Sequence, residues 1–78
     1  MPSMTVVGTG ALRGEGHEAT CTVRALKVSL PNEPDEFEYV RFSVVDVSTK
    51  IPEGTYRISA FGWTYSMQYR NGRWLSMP

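Results

Sequence analysis

The chain has 78 residues, so residues 1–78 are expected to form a single small domain. Hydrophobic residues make up 41% and charged residues 21%, a composition that indicates neither disorder nor a membrane protein. Eight Lys and Arg balance eight Asp and Glu to a net charge of zero, which argues against a generally basic protein that binds polyanions. Because so small a domain has little stability margin as a monomer, the size favours homo-oligomerisation or partner binding.

The first part of the chain predicts a β-hairpin. Residues 4–12 and 18–30 are enriched in Thr and Val, as strands are, and a glycine-rich turn at 13–17 separates them. The apolar residues change parity at Ala25-Leu26, which predicts a bulge in the second strand. Glycines within a strand are typical of sheets that bend into a barrel, and Gly8 and Gly10 lie within the first strand.

A break in the chain is predicted next, because residues 31–35 contain two prolines. A third strand follows at 37–48, and its apolar residues change parity at Val44-Val45, which predicts a second bulge. Four acidic residues surround the break, and we interpret them as a solvated loop that protects a strand edge from pairing. These residues are Glu33, Asp35, Glu36 and Glu38.

The last third shows the clearest alternation of apolar and polar residues. Residues 55–60 and 63–70 predict two half-buried strands. Asn71-Gly72 predicts a two-residue type I′ turn, because both positions of that turn require positive φ. Counting outward from this turn pairs Arg70 with Arg73, Tyr69 with Trp74 and Gln68 with Leu75.

Together these segments predict an all-β fold of about six antiparallel strands. Two bulged strands and the interior glycines favour a small, partly open β-barrel of the OB or SH3-like kind, with a tight sandwich as the alternative. In either case the chain ends in the Asn-Gly hairpin. The strand topology stays open at this stage.

No residue pattern indicates catalysis, a metal site or a cofactor. The glycines at 8, 10, 14 and 16 do not have the spacing of a dinucleotide fingerprint. His17 and Cys21 are the one His and the one Cys, and on one strand they would lie about 13 Å apart, beyond hydrogen-bond reach. We expect His17 to be an exposed turn residue and Cys21 a buried one. The single cysteine and the lack of a leader or an apolar span predict a cytoplasmic protein with no membrane segment.

Aromatic and basic residues are concentrated in the second half. Residues 1–39 carry three basic and six acidic side chains (−3), and residues 40–78 carry five basic and two acidic ones (+3). The most apolar stripe of the chain lies here and is interpreted as core or as an oligomer interface. It consists of Trp63, Tyr65, Tyr69 and Trp74.

The opposite face of the same strands is the candidate binding surface. It combines arginines with apolar side chains, namely Arg57, Phe61, Arg70, Arg73 and Leu75. Arg57 and Phe61 are expected to share one strand, and Arg70 and Arg73 to meet at the hairpin end. Arginine beside aromatic or aliphatic surface is typical of protein–protein hot spots. Arginines interleaved with aromatic residues also suit the backbone and bases of single-stranded nucleic acid.

The sequence therefore predicts a non-catalytic small β module that binds a protein partner and acts as a homo-oligomer. Its size and lack of motifs are typical of accessory or inhibitor proteins of phages and other mobile elements. The alternative is a module that binds single-stranded nucleic acid or a nucleotide through the Arg- and aromatic-rich C-terminal hairpins.

Overall fold

The computed structural model describes residues 3–30 and 32–77, and they form six antiparallel strands in one nearly closed, barrel-shaped sheet. No helix occurs in this part of the chain. The all-β prediction with six strands is confirmed. The strands are β1 (Ser3–Gly14), β2 (His17–Leu30), β3 (Glu33–Val47), β4 (Gly54–Ala60), β5 (Trp63–Arg70) and β6 (Arg73–Ser76).

The sheet consists of two three-stranded meanders with the order β3-β2-β1-β4-β5-β6. A short antiparallel pairing of β1 with β4 joins them, over the three pairs from Ala11↔Ser59 to Arg13↔Arg57. Because β1 and β4 occupy the centre, β3 and β6 are the two edges of the sheet. The first meander has strands of 12, 14 and 15 residues and the second of 7, 8 and 4, so the first extends well past the second.

Three hairpins have two-residue turns with positive φ at both positions, the geometry of type I′ turns. These turns are Glu15-Gly16, Phe61-Gly62 and Asn71-Gly72. The prediction for Asn71-Gly72 is confirmed, together with all three pairs counted outward from it. The first turn is shorter than the predicted 13–17, so β1 and β2 pair as far as Gly14↔His17.

One of the two predicted bulges is present. Thr22 pairs with Asp46 and Val23 with Val44, which leaves Val45 as the extra residue of β3 and confirms the bulge at Val44-Val45. The predicted bulge at Ala25-Leu26 is wrong, because the β1–β2 register runs without a shift from Ser3↔Val28 to Gly14↔His17. The apolar residues change parity there because both faces of β2 are buried. Ala25 is buried on one face and Val28 on the other.

The predicted solvated loop before the third strand is also wrong. β3 begins at Glu33, so the backbone of Glu33, Asp35, Glu36 and Glu38 lies in a strand, and only residues 31 and 32 separate β2 from β3. Of these two, Pro31 lies outside the described residues. Pro34 is compatible with a strand here, because β3 is an edge strand and its pairing with β2 is irregular between Ser29↔Phe37 and Leu30↔Glu33.

The core lies inside the barrel, and β4 supplies its central row. Alternate residues of β4 are buried along its whole length, and Tyr56 and Ile58 are fully inaccessible. The Tyr56 hydroxyl donates a hydrogen bond to the Pro52 carbonyl at 2.5 Å, which ties the β3–β4 connection to the core. Leu12, Cys21, Val23 and Met67 complete the buried cluster together with Ala60.

Gly14 permits the close approach of β1 to β4. A Cβ at this position would lie 2.8 Å from Tyr56 Cδ1 and would contact the Thr55 carbonyl oxygen even more closely. The Thr55 carbonyl and the Tyr56 ring are both held in place by the sheet, so neither can move away without disturbing the packing. We therefore expect Gly14→Ala to lower the free energy of unfolding by about 1–3 kcal/mol through overpacking.

Urea denaturation followed by tryptophan fluorescence measures this change. Thr9→Ala is the control, because Thr9 is an exposed residue of the same strand. Equal midpoints for Gly14→Ala and the wild-type protein would contradict the closeness of β1 and β4.

Candidate functional site

The barrel interior opens to solvent at the end where the first meander extends past the second. A pocket of about 390 Å³ lies at this opening. Six of its seven lining residues are apolar, so the opening is hydrophobic. We call it the mouth pocket, and its lining is Val6, Ala25, Lys27, Val40, Phe42, Phe61 and Trp63.

The β4–β5 turn holds the aromatic part of this pocket. Phe61 has a φ of 56°, a left-handed conformation that costs a non-glycine residue about 1–2 kcal/mol. The Phe61 ring packs on β1 over Gly8, and this contact offsets part of the conformational cost. A Cβ added at Gly8 would lie 2.8 Å from Phe61 Cε1. Residues held in such strained conformations are enriched at functional sites.

The same turn leaves its aromatic side chains open to solvent. Trp63 is 66% exposed and Phe61 41% exposed, and Val40 across the pocket is also 41% exposed. Contiguous exposed aromatic surface around a pocket is typical of interaction sites, whereas single exposed apolar residues are ordinary. The mouth pocket is therefore the strongest candidate for an interaction site.

The structure divides the predicted apolar stripe. Tyr65, Tyr69 and Trp74 pack against the buried cluster, whereas Trp63 lies at the mouth pocket. Tyr69 and Trp74 are in ring contact, with centroids 4.9 Å apart. Tyr65 of β5 stacks on Phe42 of β3 with ring centroids 4.5 Å apart, which is a side-chain contact between the two meanders. Three residues of the stripe thus hold the barrel, and the fourth faces solvent.

The five predicted binding residues lie on three separate surfaces. Arg57 lies on the outside of the sheet opposite Arg13, and both line a pocket of about 630 Å³. Phe61 belongs to a turn and not to β4, so the prediction that it shares a strand with Arg57 is wrong. Arg73 and Leu75 line the gap between the sheet edges, and Arg70 pairs with Arg73 at the hairpin end.

That gap is a groove between β3 and β6, which we call the seam. It is lined by residues 40–47 and 49–51 on one side and 72–77 on the other, with Tyr65, Ser66, Met67 and Tyr69 of β5 below. Two adjoining cavities of about 600 and 280 Å³ make up the seam. Within the described part of the chain, no strand pairing joins β3 to β6.

One polar atom in the interior has no partner in residues 3–30 and 32–77: the Tyr65 hydroxyl is buried and makes no hydrogen bond. Burial raises the pKa of Tyr65 to about 12, with a smaller contribution from the nearby Cys21. Burial likewise raises the pKa of the Cys21 thiol, which opposes formation of a reactive thiolate.

His17 and Cys21 lie in different environments, as the sequence predicts. His17 is exposed at the start of β2, where its Nδ1–H donates a hydrogen bond to the Glu15 carbonyl at 2.7 Å. Cys21 is buried in the core. No group of three or more His, Cys, Asp or Glu within the described residues could hold a metal ion, and no helix among them is long and apolar enough to cross a membrane.

Sequence patterns did not indicate Val6, Val40 or Phe42 as parts of an interaction site. These residues belong to β1 and β3, and only the pairing of β1 with β4 brings them opposite the β4–β5 turn. The one sequence feature that could have pointed to this site is the dipeptide Phe61-Gly62, since a glycine between two alternating segments marks a turn.

Comparison with known proteins adds no relative: no model of a protein family, no curated protein and no solved structure matches this chain. The site is therefore interpreted from the chain's own residues.

The unpartnered hydroxyl of Tyr65 should destabilise the folded protein relative to a variant that lacks this hydroxyl. We expect Tyr65→Phe to raise the free energy of unfolding by about 1 kcal/mol, because a buried hydroxyl without a hydrogen bond costs about 1–3 kcal/mol. Tyr69→Phe is the control, since the Tyr69 hydroxyl is not among the buried unpartnered atoms. Urea denaturation at pH 7 measures both. A loss of stability in Tyr65→Phe would contradict this assignment.

Alkaline pH gives a second measurement. The pKa of Tyr65 is raised from 10.0 to about 12, so between these values the folded protein retains a proton that the unfolded chain releases. The wild-type protein should therefore lose stability as the pH rises from 10 to 12, and Tyr65→Phe should lose less.

Proposed function

We propose that this protein is a non-catalytic protein-binding module that works as a homodimer, with the mouth pockets of two copies in contact. The observation that supports the proposal is the aromatic pair Phe61 and Trp63, which a strained turn holds in solvent beside an apolar pocket. Aromatic side chains in such a position supply most of the binding energy at many protein interfaces.

The accessible surface area of the chain supports the proposal that a partner covers part of its surface. The accessible area is 5478 Å², whereas a compact monomer of this mass exposes about 4,800 Å². The difference, about 700 Å², is close to the roughly 800 Å² that each partner buries in a standard interface. The radius of gyration is 13.7 Å, compared with about 11.5 Å for a compact chain of this length, because the first meander projects beyond the barrel.

A second copy is the partner that suits the mouth pocket best. In a two-fold dimer the same surface meets itself, so like charges in the contact would repel. Lys27 is the only charged residue among the seven that line the pocket. An apolar surface with one charged residue can meet its own copy with little repulsion, and homodimer interfaces are more apolar than other interfaces.

Nucleic-acid binding is less well supported by this geometry. A stacking platform needs several cations beside the exposed aromatic rings, whereas Lys27 is the one cation among the residues that line the mouth pocket. Trp63 begins β5 and Arg70 ends it, which separates them by roughly 23 Å along the strand. Arg73 lies beside Arg70 and is equally distant.

Replacement of the exposed tryptophan tests the homodimer. We expect sedimentation velocity to show a dimer for the wild-type protein and a monomer for Trp63→Ser at the same concentration. The dimer dissociation constant should rise at least about tenfold, as expected for an interface hot spot. Circular dichroism should be unchanged, because Trp63 is largely exposed and lies outside the buried cluster.

A matched pair on β1 provides the control. Val6 lines the mouth pocket, and Val7 points to the opposite face and is 63% exposed. Val6→Ser should weaken the dimer and Val7→Ser should not. A wild-type monomer at 100 µM, or equal effects of Val6→Ser and Val7→Ser, would overturn the proposal. Binding of a fluorescent single-stranded oligonucleotide that Trp63→Ser abolishes would favour the nucleic-acid alternative instead.

A further inference from the structure

The seam is a groove that interrupts an otherwise continuous sheet. On either side of it lies an edge strand whose outward backbone groups have no partner strand in the described chain. Such edges attract further strands, so natural proteins usually cover or block them. Here the two edges face each other across one groove, and a strand placed in it would pair on both sides.

The hairpin register identifies the backbone groups of β6 that face the seam. In a two-residue hairpin the flanking residues form a hydrogen-bonded pair, and the next pair along does not. Arg70↔Arg73 and Gln68↔Leu75 are therefore the hydrogen-bonded pairs of β5 and β6. The N–H and C=O groups of Trp74 and Ser76 consequently point away from β5, into the seam.

The floor of the seam is apolar. Phe42, Met67 and Trp74 lie along it and belong to the buried cluster or pack against it. In an extended strand, alternate side chains point to opposite faces of the sheet. Every second side chain of an inserted strand would thus contact this floor, and the others would point outward.

The outer rim of the seam is basic. Arg41, Lys50 and Arg73 line it, against Asp46 as the one acidic residue among the lining residues. Among the side chains that the structure describes, which exclude those of residues 33–39, none of the three cations is paired with a carboxylate; the ion pair that is present joins Arg13 to Glu18, in β1 and β2. The outward side chains of an inserted strand would therefore meet three cations and one carboxylate among the lining residues, which is an excess of positive charge.

We propose that the seam binds an extended acidic segment of another protein by β-strand addition, with acidic residues alternating with apolar ones. The segment would complete the barrel by pairing with β3 and with Trp74 and Ser76 of β6, its apolar side chains on the floor and its carboxylates at the basic rim. Backbone pairing supplies affinity in this mode of recognition, and alternate side chains supply specificity. The aromatic pair Phe61 and Trp63 of the dimer contact does not line the seam, although Val40 and Phe42 line both the seam and the mouth pocket.

A short synthetic peptide tests the proposal. The probe is a fluorescein-labelled heptapeptide in which Glu and Val alternate, and the readout is fluorescence anisotropy against the wild-type protein. We expect saturable binding that weakens as salt is added, because screening reduces the attraction of carboxylates to the rim. A peptide of alternating Lys and Val should not bind. The Glu-Val peptide with N-methylated valines should bind at least tenfold more weakly, because the methyl groups block the strand edge that carries the valine N–H groups.

Two pairs of variants separate charge from backbone pairing. Arg41→Ala combined with Arg73→Ala should weaken peptide binding at least tenfold, whereas Arg13→Ala combined with Arg57→Ala removes the same charge elsewhere and should not. Ser76→Pro removes an N–H that faces the seam and leaves the β5–β6 hydrogen bonds intact, so it should weaken binding about tenfold. Ser76→Ala keeps that N–H and is its control.

Amide hydrogen exchange locates the peptide. Exchange of the Trp74 and Ser76 amides should slow on binding. Absence of binding at 1 mM peptide, equal effects of the two arginine pairs, or equal affinity for the N-methylated peptide would overturn the proposal. If Ser76→Pro abolished the dimer, the occupant of the seam would be a second copy of the chain, and the proposal of an acidic segment from another protein would be overturned. Trp63→Ser should still bind the peptide, so the two proposals can fail independently.

Discussion

The pairing of β1 with β4 is the constraint on which the rest of the structure depends. It comprises three residue pairs and is the only strand pairing that connects the two meanders within the described chain. Because it places the centre of the sheet between β1 and β4, it leaves β3 and β6 as edges and curves them toward each other. Gly14 allows the two backbones to approach closely enough for this pairing. Two carboxylates support the start of β4: Glu15 accepts a hydrogen bond from the Thr55 N–H at 3.1 Å, and Glu53 accepts one from the Asn71 N–H.

Both candidate surfaces follow from the unequal lengths of the two meanders. β6 has only four residues, so it cannot span the edge of the fifteen-residue β3 across the gap, and the barrel stays open along the seam. At the far end of the first meander, β4 and β5 have already turned back at Phe61-Gly62. The interior is therefore exposed at the mouth, where the turn contributes its aromatic residues. A single difference in strand length thus produces an apolar opening at one end and a groove along one side.

Local sequence was sufficient for the parts of the fold that depend on neighbouring residues. Alternation predicted β4 and β5, and Asn71-Gly72 predicted the last hairpin with its register, because turn geometry and side-chain period are local properties. The parity change at Ala25-Leu26 was misleading, since burial of both faces of a strand imitates a bulge. The acidic residues before Phe37 indicated a loop by composition, whereas pairing with β2 makes their backbone a strand. The mouth pocket could not be predicted, because its lining comes from β1, β2, β3, the β4–β5 turn and the first residue of β5, which only the β1–β4 pairing brings together.

The distribution of charge now has a structural meaning. The zero net charge is the sum of an acidic first half and a basic second half, and the fold places three of the five second-half cations, Arg41, Lys50 and Arg73, on the rim of the seam. The mouth pocket carries one charged residue and the seam three cations, so the two surfaces differ in the partner that each can accept. An apolar surface can bind its own copy, whereas a basic groove repels an equally basic one and attracts acidic chains. We therefore propose that one small sheet combines self-association with recognition of a second protein, through two surfaces of different chemistry that adjoin at Val40 and Phe42.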